Sequence, residues 1–102
     1  MQPFITARQA EIVELCRTHH VRRLSVFGSA VRDDFDPSTS DVDIRIEFEE
    51  PYRSAAFDSY ASLREELERL LGRRVDLLSS KTIPNRYLRR EIEETQVTLY
   101  AA

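Results

Sequence analysis

Between residues 28 and 43 the chain reads GSAVRDDFDPSTSDVD, and two parts of that stretch could do chemistry. Gly28-Ser29 ends a short apolar run, where a sharp turn offers backbone donors to phosphate. Asp41-x-Asp43, separated from Ser29 by eleven residues, offers a pair of carboxylates to a divalent cation. A Gly-Ser pair alone is usually just a turn, and Asp-x-Asp alone is usually a solvated strand face. Their order and spacing together point to nucleotide chemistry.

The elements around these residues must give them a geometry. In Asp41 to Phe48 the residues Val42, Ile44, Ile46 and Phe48 fall on one face and Asp41, Asp43, Arg45 and Glu47 on the other, the alternation of a half-buried strand. Asp41 and Asp43 then project to the same side, about 6.5 to 7 Å apart. A further strand is expected over Arg74 to Leu78 (RVDLL). If it lies beside the first with Val75 and Leu77 in the apolar layer, Asp76 joins the two other aspartates. Three such carboxylates repel one another unless a cation compensates. Mg²⁺ suits them, because it prefers oxygen ligands and is shared with substrate phosphates. Two such ions, about 3.5 to 4 Å apart, would stabilise both the attacking and leaving oxygens of an in-line displacement. Nucleotidyl or phosphoryl transfer is the reaction class.

The rest of the chain alternates helix and strand. Thr6 to Gln9 reads as a capping box with Ile5 and Ala10 as a staple, opening a helix from Ala7 to Thr18 that carries Ile12, Val13, Leu15 and Cys16. Leu24 to Phe27 is a short strand that stops at Gly28. Ser29 to Asp34 has room for one helical turn, and Asp36 to Ser40 is a cluster of turn formers. After a break at Pro51, Phe57, Tyr60, Leu63, Leu67, Leu70 and Leu71 trace the longest helix, capped by Gly72. Arg64 with Glu68 and Glu65 with Arg69 are one turn apart on its outer side. Pro84 opens a last helix bearing Leu88 and Ile92, and Val97 to Tyr100 adds a terminal strand. The expected class is α/β or α+β: a small mixed sheet packed against helices.

Composition limits where this chemistry can act. A chain of 102 residues, 41% of them hydrophobic, suits one domain over residues 1–102 with one core. With 18 acidic and 15 basic residues the net charge is −3, which lacks the basic footprint of an autonomous nucleic-acid binder. Cys16 is the only cysteine, so no intrachain disulfide forms, and its apolar neighbours make it an inert buried thiol suited to the cytoplasm. No apolar run approaches the ~20 residues of a membrane helix.

Rival motifs do not hold. Asp34-x-Asp36-x-Ser38 starts like a calcium loop, but Thr39 and Arg45 stand where it needs glycine and a bidentate glutamate. Gly28 and Gly72 are the only glycines, too few for a Walker loop or a dinucleotide fingerprint. Adjacent His19 and His20 point about 100° apart on a helix and fit a helix C-terminus better than a metal. Lys81, Arg86, Arg89 and Arg90 form the one locally basic segment. They suit either a solvated helix face paired with Glu93 and Glu94 or a contact with phosphates or an acidic partner.

Gly28-Ser29, then Asp41-x-Asp43, then Asp76 within RVDLL resembles the DNA polymerase beta-type nucleotidyltransferase superfamily, in particular its minimal, MntA-like antitoxin branch. The resemblance spans nearly the whole chain. It implies the polymerase beta-like nucleotidyltransferase fold with a four-stranded mixed sheet, ATP as nucleotide donor, and Mg²⁺ held by Asp41, Asp43 and Asp76. It also implies Gly28, Ser29 and Arg32 as nucleotide-binding residues, and Asp76 as an aid to deprotonating the attacking hydroxyl. Where the family often has Arg-Gly after the turn, this chain has Arg32-Asp33, which keeps the cation and replaces the glycine with a negative charge.

Larger relatives append a domain that grips the acceptor, whereas this chain ends soon after the strand of Asp76. On the minimal branch the resemblance implies that the acceptor is a partner HEPN toxin, a helical ribonuclease whose tyrosine hydroxyl receives AMP. Two alternatives stay open: a catalytically silent module that neutralises a toxin by covering it, suggested by Asp33, and a transferase for a small-molecule acceptor.

Overall fold

The computed structural model describes residues 1–32, 35–36, 38–49, 56–79, 83 and 85–102. Asp33, Asp34, Pro37, Pro51, Lys81 and Pro84, which figure in the sequence reading, lie outside the described residues, as does the side chain of Phe57.

The elements in chain order are α1 (Pro3–Thr6), α2 (Gln9–Thr18), β1 (Val21–Phe27), a 3₁₀ turn (Gly28–Ala30), β2 (Val42–Phe48), α3 (Ala56–Leu71), β3 (Val75–Ser79), α4 (Arg86–Thr95) and β4 (Val97–Ala101). The four strands form one sheet in the order β3-β2-β1-β4. β1 is antiparallel to both β2 and β4, and β2 is parallel to β3, so the sheet is mixed as expected.

Binary patterning accounts for the layers. Val42, Ile44, Ile46 and Phe48 of β2 are buried while the residues between them stay half-exposed. Their apolar face joins Leu24 and Val26 of β1, Val75 and Leu77 of β3, Ile12 and Cys16 of α2, and Leu63, Leu67 and Leu71 of α3 in the main core. A smaller cluster on the opposite face packs Ile92 of α4 and Ile83 against Phe27, with Leu78 and Leu88 beside them. Thus α2 and α3 cover one face, and α4 lies on the other.

The N-terminal helix differs from expectation. Pro3 starts a separate turn, and Thr6 Oγ1 donates to Pro3 O at 3.0 Å instead of capping the next helix. No side chain caps α2, which begins at Gln9, so the predicted capping box does not form. Proline's fixed φ favours the first turn of a helix, which explains the early start. β1 also begins three residues before the predicted Leu24, with an irregular register between Val21 and Arg23.

The remaining elements match closely. Gly72 adopts φ +66° after α3, as a left-handed C-cap should. Asn85 Oδ1 accepts from Leu88 N at 2.8 Å and caps α4. Glu68 accepts from Val75 N at 2.9 Å and ties α3 to β3.

Candidate active site

The turn after β1 is shaped by one residue. Gly28 has φ +71°, a region that glycine occupies without penalty. A Cβ placed there would stand 2.5 Å from Asp43 Oδ2, so any side chain would force the Asp43 carboxylate to shift. Gly28 O accepts from Val31 N at 3.0 Å and from Arg32 N at 3.3 Å, which closes the turn. Ser29 is half-buried within it, and Arg32 stands exposed at its far end.

The aspartates arrive from two strands. Asp43 opposes Phe27 across the β1–β2 ladder and Asp76 across the parallel β2–β3 ladder, so Asp43 and Asp76 are direct neighbours. Directly paired strand residues lie about 4.8 Å apart along the hydrogen-bonding direction. Asp41 precedes β2 by one residue and shares this face by alternation. The register thus joins Gly28, Asp43 and Asp76, with Asp41 at the margin.

The electrostatics follow from that placement. Burial, then Asp76, Asp41 and Glu91 in turn, push the carboxyl of half-buried Asp43 up to about 6, while Arg32 acts in the opposite sense. Asp76 is exposed. Asp41 Oδ1 pairs with Arg74 Nε at 3.2 Å. As placed, no group of three or more His, Cys, Asp or Glu side chains among the described residues could hold a metal ion. The strand register brings the three aspartates to one face, and the Arg74 contact engages the outermost of them.

Two further side chains, Arg74 and Glu91, stand at the site. Arg74 shares a face with Asp76 by the period of two, so its proximity to the carboxylates was readable. Glu91 of α4 accepts from Arg32 Nη1 at 3.2 Å, a contact across 59 positions that no local pattern signals.

The other chemically suggestive residues fall elsewhere. His19 is the C-cap of α2, and its Nε2 also stands 2.5 Å from Glu66 Oε2 of α3. Asp36 Oδ1 accepts from Ser38 N and Ser38 Oγ, an Asx turn that holds this carboxyl below its ordinary range. Burial pushes the Cys16 thiol up to about 12, which keeps it inert. Arg90 pairs with Glu94 at 3.1 Å and Arg86 lies over the Tyr87 ring, consistent with a solvated face of α4. Among the described residues no helix is long and apolar enough to cross a membrane.

Known proteins resemble this chain in sequence and fold. The family model described as the nucleotidyltransferase domain matches residues 10–98. A candidate protein adenylyltransferase of Methanocaldococcus jannaschii is 38% identical over 93 residues, covering 83% of this chain and 91% of that relative. The solved structure of a candidate minimal nucleotidyltransferase, 32% identical, superposes with a TM-score of 0.75 over 91% of this chain and 90% of that one. The complex of tri-AMPylated Shewanella oneidensis HEPN toxin with MNT antitoxin matches with a TM-score of 0.65 over 95% of this chain and 72% of that one. At 17% identity that last likeness concerns the fold alone. The chain belongs to the nucleotidyltransferase domain family, on its minimal branch, and is a nucleotidyltransferase enzyme.

Proposed function

We propose that residues 1–102 act as one minimal unit in the cytoplasm, an antitoxin that transfers AMP from ATP to a tyrosine hydroxyl of a partner HEPN ribonuclease toxin and so silences it. The observation that carries this reading is the register of Asp43 with Asp76 directly beside Gly28. It sets two carboxylates against a phosphate-type turn within a family of nucleotidyltransferases. The adenylyltransferase name of the relative and the AMPylated toxin of the structural neighbour support AMP as the group and a protein as the acceptor.

The donor set fits Mg²⁺. All three ligand candidates are hard carboxylate oxygens, and the raised Asp43 carboxyl reflects negative charge that a cation would compensate. Asp41, Asp43 and Asp76 would hold the metal, probed first as Mg²⁺ alone, with Asp41 leaving Arg74 to do so. Bound there, the metal supplies charge neutralisation to the triphosphate.

The chain's own residues do the rest. The amide of Ser29, at the start of the 3₁₀ turn, receives a phosphate oxygen together with the Ser29 hydroxyl. Arg32 pairs with the same anion. Asp76, the exposed member of the set, takes the proton of the tyrosine hydroxyl. The phenolic oxygen bonds to the α-phosphorus as the bond to the β-phosphate oxygen breaks, and pyrophosphate leaves.

The Asp41–Arg74 pair favours one rival, a module that binds its toxin without chemistry. Incubating the chain with ATP, Mg²⁺ and its helical partner, then recording the partner's intact mass, separates the two. A gain in steps of one AMP, absent with Asp41→Ala plus Asp43→Ala, is expected. Neutralisation by the double variant at equal expression, without a mass gain, would establish the silent module.

A further inference from the structure

Glu91 lies outside the aspartate set yet reaches the same site. The next residue, Ile92, is fully buried in the cluster that contains Phe27, the residue immediately before Gly28. That packing fixes α4 beside the turn and sets Glu91 where its Oε1 meets Arg32 Nη1 at 3.2 Å. Arg32 in turn follows the turn by two residues, its amide bonded to Gly28 O. The two side chains are 43% and 49% exposed, open enough for a ligand to compete. Both also act on Asp43 in opposite senses, which places the pair within electrostatic reach of the carboxylates.

We propose that Glu91 is a positioning residue: it holds the Arg32 guanidinium beside the Gly-Ser turn in the nucleotide-free protein and surrenders it to phosphate oxygens on binding. The proposal rests on the reading of Arg32 as a phosphate contact. Carboxylate and phosphate are alternative acceptors for the same guanidinium fork, so one must displace the other from any shared donor. Holding the long Arg32 side chain near its target lowers the ordering cost of binding, while the competing carboxylate opposes it. At this exposure the pair is weak, so the handover is cheap and Glu91 acts as a modest brake.

Calorimetric titration of ATP with Mg²⁺ into four proteins tests the assignment: wild type, Arg32→Gln, Glu91→Gln and the double variant. Arg32→Gln should weaken binding about tenfold. Glu91→Gln should tighten it about two- to fivefold, and should change nothing once Arg32 is already Gln. That loss of effect separates competition for Arg32 from a general change in charge. Glu91→Gln binding that is unchanged or weaker, or tightened equally in the Arg32→Gln background, overturns the proposal for Glu91 while leaving the nucleotide site intact. Wild-type protein that fails to bind ATP overturns both. Arg32→Gln that binds as wild type removes the premise and the proposal with it.

Discussion

The two faces of the sheet are built on opposite principles. Under α2 and α3, β2 contributes Val42, Ile44, Ile46 and Phe48 to a core closed by Leu63 and Leu67, where nearly every side chain is fully buried. One residue out of phase, the same strand contributes Asp43, Arg45 and Glu47 to a face that α4 covers through only a small apolar cluster. The first face stabilises the fold. The second sets like charges side by side at Asp43 and Asp76, against the usual preference for opposite charges across strands. A strand of period two can therefore carry a stability task and a chemical task at once, since substitution on one face leaves the other in place.

Substitutions that treat the faces alike would break this contrast. Leu67→Ala should cost the largest amount, about 2–5 kcal/mol of unfolding free energy by urea titration, because it opens a cavity in the main core. Gly28→Ala should cost about 1–3 kcal/mol through its positive φ and the collision with Asp43. That variant should also lose the stabilisation that ATP with Mg²⁺ gives the wild type in a thermal scan.

Asp43→Asn should move the other way, gaining about 1 kcal/mol at neutral pH. The full shift of its carboxyl from 3.8 to about 6 would correspond to about 3 kcal/mol, which half-exposure and solvent screening reduce. The sign is specific. A carboxyl raised in the folded state adds stability that is fully present below pH 3.8 and is lost as pH rises through about 6. The wild-type minus Asp43→Asn difference in unfolding free energy should therefore fall across that window and stay flat above it. A difference that rises with pH would contradict the assigned cause. Arg74→Gln should have the smallest effect, under about 0.5 kcal/mol, because its pair with Asp41 is largely exposed.

Legibility in the sequence followed the range of the interactions involved. The alternation of β2 and the period shared with RVDLL depend on neighbours a few residues apart, so the common face of Asp41, Asp43 and Asp76 could be anticipated. Gly72 and Ile92 were likewise readable from local signals. The start of β1 was not, because Val21, Arg22 and Arg23 interrupt the alternation and the ladder carries an irregularity there. The split between α1 and α2 was hidden because Thr6 and Gln9 imitate a capping box while Pro3 favours an earlier start. The period of two also put Arg74 on the face of Asp76, but Arg32 with Glu91 is a tertiary contact that only the packing of α4 could disclose.

Thermal unfolding with millimolar ATP, in the presence and absence of Mg²⁺, tests most directly that the polar face is a metal-nucleotide site. A ligand that binds only the folded state, present at 100 times its Kd, adds about 2.7 kcal/mol. The wild type should be stabilised by ATP with Mg²⁺ and much less by ATP alone. Asp43→Asn should start at least as stable and gain little from either. No shift in the wild type, or an equal shift in Asp43→Asn, would contradict the assignment of Asp43 to that site.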